Sequence, residues 1–189
     1  MKTKTHESRP ASHAKKSGTM SSKETLEDIF EDMLKDIYWA EKHLLKALPK
    51  MAKASHSEEL TEAFNVHLAQ THLQIQRIED CFELLEIKAT AKKCEAMKGL
   101  VKEGEETIEK HEEGPARDAA IIAAAQKIEH YEISSYGTLR TMAKVLGKVK
   151  CAELLEETKD EEAETDANLT ELAEKINQLA AEMEVTEVE

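Results

Sequence analysis

Length, composition and charge together indicate one acidic, all-α domain. The 189 residues can bury one proper core and are too few for two comfortable domains. Six glycines, three prolines and 34% charged residues leave few turns and suit long helices better than a sheet. The net charge of −13 argues against a nucleic-acid-binding surface on the folded domain, because phosphate contacts need clustered Lys and Arg.

The charge is unevenly distributed, because residues 1–23 form a basic segment. They contain six Lys or Arg and one Glu, so this segment carries +5 and the rest of the chain carries −18. Almost nothing in the segment is apolar, which predicts a disordered tail. A solvated extension is the simplest interpretation, and contact with nucleic acid or a targeting role are the alternatives. We predict a folded domain over residues 24–182 and an acidic end over residues 183–189.

Cysteine usage and hydropathy predict a cytoplasmic protein. Cys81, Cys94 and Cys151 lack C-x-x-C spacing, so they indicate neither a disulfide framework nor a thiolate zinc site. No stretch approaches the ~18 apolar residues of a membrane span, and the N-terminus lacks the apolar run of a secretory signal. We therefore expect no membrane partner.

Two apolar stripes predict a helical hairpin in the first half of the chain. The first helix should begin near Glu24, where Ser21 and Glu24 have capping-box spacing, and Pro49 should kink its end. The second should follow Ser55 and Glu58, which repeat that spacing. Because the connection is short, the two helices should pack antiparallel.

Two further core helices are predicted after residue 114. Residues 88–114 hold a weaker helical patch interrupted by glycines, which we interpret as a long crossover containing a short helix outside the core. Pro115 suits the first position of the third core helix, which should run to about Leu146 and stop at Gly147. A fourth helix completes a second hairpin. Two hairpins joined by a long crossover describe a ferritin-like four-helix bundle, although other bundle topologies stay open at this point.

Each of the four stripes contains a residue type that ligates metal ions. Glu41 and His67 interrupt the stripes of the first and second helices at helical spacing, so both should point inward. Glu129 continues the inner face of the third helix with Glu132 beside it, and Glu162 interrupts the fourth stripe. Burying an unpaired carboxylate costs several kcal/mol, and no Lys or Arg breaks the central stripes to compensate.

The same residues lie at matched heights along the bundle. Glu41 stands 14 residues before the turn at residue 55 and His67 stands 12 after it, while Glu132 and Glu162 each stand 15 from Gly147. At 1.5 Å per residue, both pairs are roughly 20 Å from their turns. Metal ions are then the simplest compensation for the charge. Carboxylates with one imidazole suit iron or manganese better than zinc.

Each of these positions alone also has an ordinary explanation. Glu41 or Glu162 could lie at the edge of a misjudged stripe, because predicted boundaries err by a few residues. His67 could be a hydrogen-bonded core histidine, and Glu132, which lies off the main face, could be a solvated charge. Their combination at one height favours a metal site.

Extended segments of the chain carry a family resemblance. They are DIYWAEKHLLKALPKMA, HLAQTHLQIQRIE, CEAMKGLVKEG, AAAQKIEHYEISSYGTL and LLEETKDEEAETDANLTELAE, within about residues 25–175. At these segments the chain resembles the YciF-like family of bacterial stress proteins, in the ferritin-like superfamily. The resemblance implies a bundle fold, a dinuclear metal centre, homodimerisation and a stress-related role.

The resemblance also implies a set of metal ligands, with two departures from the usual pattern. The chain contains no Glu-x-x-His, which the usual di-iron bundle supplies on two helices. Gln70 stands in HLAQT where relatives tend to have Glu, and a neutral amide binds a hard cation less strongly than a carboxylate does. The implied ligands are Glu41, His67, Glu129, Glu132 and Glu162, with Asp166 as an addition.

Two hypotheses about function follow. In the first, a stress-related protein binds a dinuclear iron or manganese centre and handles oxygen, peroxide or the metal itself, and whether it turns over as an enzyme is left open. In the second, a non-catalytic helical protein acts through dimer or partner contacts, and its carboxylates pair with polar protein groups.

Overall fold

A computed structural model describes residues 23–186 as five helices. Most of the predicted basic tail, residues 1–22, and the last part of the predicted acidic end, residues 187–189, lie outside the described residues. Among the helices described, no segment has the length and apolar character that a bilayer crossing requires. The helices are α1 (Leu26–Ala54), α2 (Glu58–Leu84), α3 (Glu95–Lys110), α4 (Pro115–Val145) and α5 (Val149–Thr186).

Four long helices form two hairpins that pack on each other. α1 pairs with α2, and α4 pairs with α5, while α2 also packs on α5 and α1 on α4. Gly147 lies in the turn that follows α4, with a φ of 72°, a left-handed conformation that glycine adopts without a Cβ clash. Lys148 N closes this turn by donating to the Ala143 carbonyl at 2.8 Å. The predicted ferritin-like bundle of two hairpins is confirmed.

The crossover helix contributes more to the core than the sequence predicted. α3 packs on α4 and α1, and Met97 and Val101 on its inner face are buried in the main apolar cluster. The prediction of a short helix in the crossover is confirmed, but its placement outside the core is wrong. The reason is amphipathicity, because the apolar residues of this short segment fall on one side of the helix.

The helix starts also differ from the predicted ones. α1 begins after Thr25, which forms a reciprocal capping box with Asp28: Thr25 N donates to Asp28 Oδ2 at 2.8 Å, and Asp28 N donates to Thr25 Oγ1 at 3.1 Å. Ser21, the predicted cap, lies outside the described residues. The α2 cap is Ser57, whose Oγ accepts from Leu60 N at 3.3 Å, and not Ser55. α1 contains Pro49 and continues to Ala54.

One buried carboxylate fastens the α1–α2 turn to the start of α4. Asp118 is 1% exposed, and its two oxygens accept from His56 N at 2.8 Å and from Ser57 N at 2.7 Å. Beside it, Arg117 Nη2 donates to the Ala54 carbonyl at 2.6 Å. The first turn of α4 therefore satisfies backbone groups that the end of α1 and the start of α2 leave open.

We expect Asp118→Ala to destabilise the domain by about 2 to 4 kcal/mol, because it leaves two backbone N–H groups without their charged acceptor. Asp118→Asn keeps one acceptor oxygen and should cost less. Urea unfolding followed by circular dichroism measures both. A loss below about 0.5 kcal/mol for the alanine variant, the range of an ordinary surface substitution, would contradict this capping role.

Candidate metal centre

Four helices bring ligand-type side chains into one buried layer of the bundle. α1 contributes Glu41, α2 contributes His67, α4 contributes Glu129 and Glu132, and α5 contributes Glu162. Each of these side chains is at most 2% exposed. The helical spacing that places Glu41 between Ile37 and Leu44 on the inner face of α1 explains why a charged residue is carried into the core.

Four of the five residues are close enough to share an ion. His67, Glu129, Glu132 and Glu162 each offer a ligand atom, and these atoms all lie within 4.8 Å of one another. His67 Nε2 is 3.5 Å from Glu129 Oε1 and 3.8 Å from Glu162 Oε2. Both separations are longer than the donor–acceptor distance of a good hydrogen bond. They approach the roughly 3 Å between neighbouring ligands that each stand about 2.1 Å from one ion in octahedral geometry.

The layer leaves many polar atoms without a protein partner. Within the described part of the chain, both ring nitrogens of His67 and both oxygens of Glu132 and Glu162 make no hydrogen bond. One oxygen of Glu41 and one of Glu129 are also unpartnered. Buried polar groups are normally hydrogen-bonded, so an acidic cluster of this kind fits a cation better than a purely structural polar network.

Burial and mutual repulsion make these carboxyl groups hold their protons. Burial is the largest cause that raises the pKa of Glu129 to about 8. The pKa values of Glu41, Glu132 and Glu162 are raised well above 4.5, again mainly by burial, with like-charge neighbours adding to the shift. A bound cation would reverse this balance, because it stabilises the charged form.

Glu41 lies at the margin of the cluster and is held by a tyrosine. It is not one of the four residues whose ligand atoms lie within 4.8 Å of one another. The hydroxyl of Tyr136, a fully buried side chain on α4, donates to Glu41 Oε1. Glu41 Oε2 has no partner among the described groups and remains available for a ligand.

Asp166 and Gln70 stand outside the four-residue group. Asp166 is 22% exposed; its Oδ1 accepts from Gln126 Nε2 at 3.1 Å, and its Oδ2 lies 3.2 Å from His130 Nε2. Both oxygens therefore already have protein partners, and its assignment as a ligand stays a prediction. Gln70 is half-buried and lines a groove that also reaches His67.

The sequence did not reveal a second polar layer beside the cluster. Arg77 on α2 makes two hydrogen bonds of 2.7 Å to Glu161 on α5, and Gln74 Nε2 donates to Glu161 Oε2 at 3.2 Å. The positive charge of Arg77 lowers the pKa of Glu41 against the larger raising effect of burial. In the sequence, the one signal for this ion pair was that Arg77 and Glu161, which belong to different hairpins, lie at the same height along the bundle axis.

Comparisons with known proteins agree with this architecture. A family model described as a domain of unknown function, DUF892, matches residues 25–182. Protein YciF of Escherichia coli strain K12 is 53% identical over 150 residues, which are 79% of this chain and 90% of that protein.

Solved structures show the same similarity. The crystal structure of the Escherichia coli stress protein YciF has a TM-score of 0.79 at 51% identity and covers 82% of this chain and 98% of that one. YcfI of Rhodopseudomonas palustris has a TM-score of 0.77 at 37% identity and covers 80% of this chain and 98% of that one. By sequence and by fold, the chain belongs to the YciF-like family, described as DUF892.

Proposed function

We propose that the chain is a stress-related, cytoplasmic protein that binds a dinuclear iron or manganese centre in the middle of its bundle. The observation that carries this proposal is the buried group of His67, Glu129, Glu132 and Glu162, whose ligand atoms converge within 4.8 Å. The stress-related part is supported by the relative described as the Escherichia coli stress protein YciF.

The donor set matches the proposed metals. Carboxylate oxygens with a single imidazole suit iron and manganese, whereas thiolates or several imidazoles would favour zinc or copper. Glu129, Glu132 and Glu162 would hold or bridge the ions, with His67 and Glu41 completing the set. When bound, such a centre supplies chemistry with oxygen or peroxide, or handling of the metal itself.

The protein's own groups prepare this site. Tyr136 fixes the orientation of Glu41 by donating to one of its oxygens. The apolar side chains above and below the layer exclude water, so charges within it interact more strongly than they would at the surface. Turnover and homodimerisation stay predictions, and native mass measurement decides the second.

Metal analysis tests the proposal directly. We expect about two iron or manganese ions per chain in protein purified from its own host without chelators. Glu129→Gln and Glu162→Gln keep the side-chain volume but remove a charge, so each should reduce the content below about one ion. Glu153→Gln, an exposed change on α5, is the matched control and should leave the content unchanged.

The same protein, loaded with Fe²⁺ without oxygen and then exposed to air, should change its near-ultraviolet and visible absorbance. Less than about one ion per chain in the unaltered protein, together with no absorbance change, would refute the proposal. Unchanged metal content in folded Glu129→Gln and Glu162→Gln would support the alternative, in which the carboxylates are only structural. Circular dichroism confirms that each variant is folded.

The pH dependence of stability should differ between metal-free and metal-loaded protein. In the metal-free protein the pKa of Glu129 is about 8, against 4.5 for an ordinary glutamate, so folding favours its protonated form. The stability from this group is fully present below about pH 4.5 and is lost as the pH rises through about 8.

Melting temperatures between these two pH values should therefore fall in metal-free protein as the pH increases. Saturating Mn²⁺ should remove this fall, because metal binding uses the deprotonated carboxylates. Glu129→Gln should make the metal-free profile shallower but not flat, because the raised pKa values of Glu41, Glu132 and Glu162 remain. A melting temperature of metal-free protein that rises across this window would contradict the expected linkage.

A further inference from the structure

A groove between α2 and α5 leads from the protein surface to the candidate metal centre. It encloses about 370 Å³, and its wall includes His67 and Glu129. Liquid water occupies about 30 Å³ per molecule, so the groove has room for a cation with its hydration shell. His67 is only 2% exposed and both of its ring nitrogens lack a hydrogen-bond partner among the described groups. The inner end of the groove therefore presents an imidazole whose nitrogens are available to bind a metal ion.

The outer wall of the groove is acidic. Glu59 and Glu62 line it from α2, and Glu164 and Glu171 line it from α5, all as exposed side chains. Among the described residues that line the groove, Lys175 is the single Lys or Arg, and its Nζ lies 3.2 Å from Glu59 Oε2. A cleft lined by one sign of charge concentrates the opposite ion and accelerates its arrival.

We propose that this groove is the route by which a hydrated divalent cation reaches the centre, with Glu62 and Glu164 attracting the ion and His67 receiving it. The inference rests on the proposed metal centre and adds how that centre is loaded. Glu59 is less suited to the role, because Lys175 already pairs with it.

Rapid mixing of the metal-free full chain with Co²⁺, followed by its visible absorbance, tests the route. The double variant Glu62→Gln/Glu164→Gln should load about 3 to 10 times more slowly at low ionic strength, yet reach the same final stoichiometry. The difference should shrink as salt is added. The control Glu83→Gln/Glu174→Gln removes the same charge from exposed positions on α2 and α5 outside the groove and should load at the unaltered rate.

Equal rates for the groove variant and the unaltered chain, with full loading of both, would overturn the route while leaving the metal centre intact. Equal slowing of both double variants would also overturn it, because general charge would then explain the effect. Failure of the unaltered chain to bind Co²⁺, Fe²⁺ or Mn²⁺ would instead refute the proposed function on which the route depends.

A separate observation concerns two thiols where the end of α2 packs on the start of α5. Cys81 and Cys151 are 0% and 2% exposed. Cys81 Sγ lies 3.9 Å from the Cys151 carbonyl oxygen, and Cys151 Sγ lies 3.9 Å from the Cys81 carbonyl oxygen. This reciprocal contact places each sulfur atom against the backbone of the other cysteine.

The electrostatics of the pair favour different roles for the two thiols. The hydrogen bond between them raises the pKa of Cys81 and lowers the pKa of Cys151. The positive charge of Lys148 lowers the pKa of Cys151 further. Cys151 also lies in the first turn of α5, where the helix N-terminus favours a thiolate, the nucleophilic form of cysteine.

We infer that hydrogen peroxide converts Cys81 and Cys151 into an intramolecular disulfide. The Cys151 thiolate attacks one peroxide oxygen, the O–O bond breaks, and the released hydroxide takes a proton to become water. The resulting sulfenic acid is attacked by the Cys81 sulfur, which forms the S–S bond and releases a second water. The two thiols lose two electrons and two protons, and the peroxide is reduced to two waters.

Tryptic mapping without reductant tests the disulfide sharply, because each cysteine lies in its own peptide: 78–88, 94–98 and 151–159. After peroxide treatment and alkylation, peptides 78–88 and 151–159 should appear linked, with 94–98 unlinked. Cys94, also buried but in contact with the Tyr131 hydroxyl at 3.0 Å, is the matched control thiol. Cys81→Ser or Cys151→Ser should abolish the link, and Cys94→Ser should retain it.

The disulfide should also raise the melting temperature of Cys94→Ser by roughly 5 to 15 °C, because the cross-link lowers the conformational entropy of the unfolded chain. Absence of the linked peptides in folded, peroxide-treated Cys94→Ser would overturn the inference. So would linked peptides that come from two different chains, which a non-reducing gel shows as a covalent dimer. The test uses metal-free protein, so its outcome does not depend on the proposed metal centre.

Discussion

The burial of four glutamates in one layer of the bundle is the constraint on which the rest of the structure depends. Glu41, Glu129, Glu132 and Glu162 are at most 2% exposed, together with His67. An unpaired buried carboxylate costs several kcal/mol, so the layer is stable only if its charge is neutralised or compensated. It also fixes helix register, because moving one helix by a turn would carry its glutamate into the apolar layers.

Apolar layers separate the charged layer from the ends of the bundle, and polar contacts between helices stabilise the bundle on both sides of it. Apolar side chains fill the layers above and below. At one end Asp118 accepts two backbone N–H groups of the α1–α2 turn, and towards the other end Arg77 pairs with Glu161 between α2 and α5. Stability is thus supplied by ordinary packing and caps away from the layer, and the layer itself is left free for a ligand.

The main helices and the inward direction of the site residues could be predicted from the sequence, because helical periodicity and hairpin lengths are local properties. Glu41 and His67 are buried where their stripes indicated. The sequence prediction did not identify Thr25 and Ser57 as the helix caps, because several Ser and Thr residues near each helix start have similar spacing. The hydrogen bond that Asp166 accepts from Gln126 could not be predicted, since it depends on how two helices meet.

Charge balance relates the four carboxylates to the two metal ions that we propose. Four buried carboxylates, once deprotonated, carry four negative charges, and a neutral His67 adds none. With one divalent ion, two of the carboxyl groups would have to stay protonated to avoid uncompensated charge in the core, whereas two divalent ions would neutralise all four in their charged form. A glutamate in place of Gln70 would add a fifth negative charge next to His67. The neutral amide of Gln70 instead leaves the charge of the layer at the four that two divalent ions would balance.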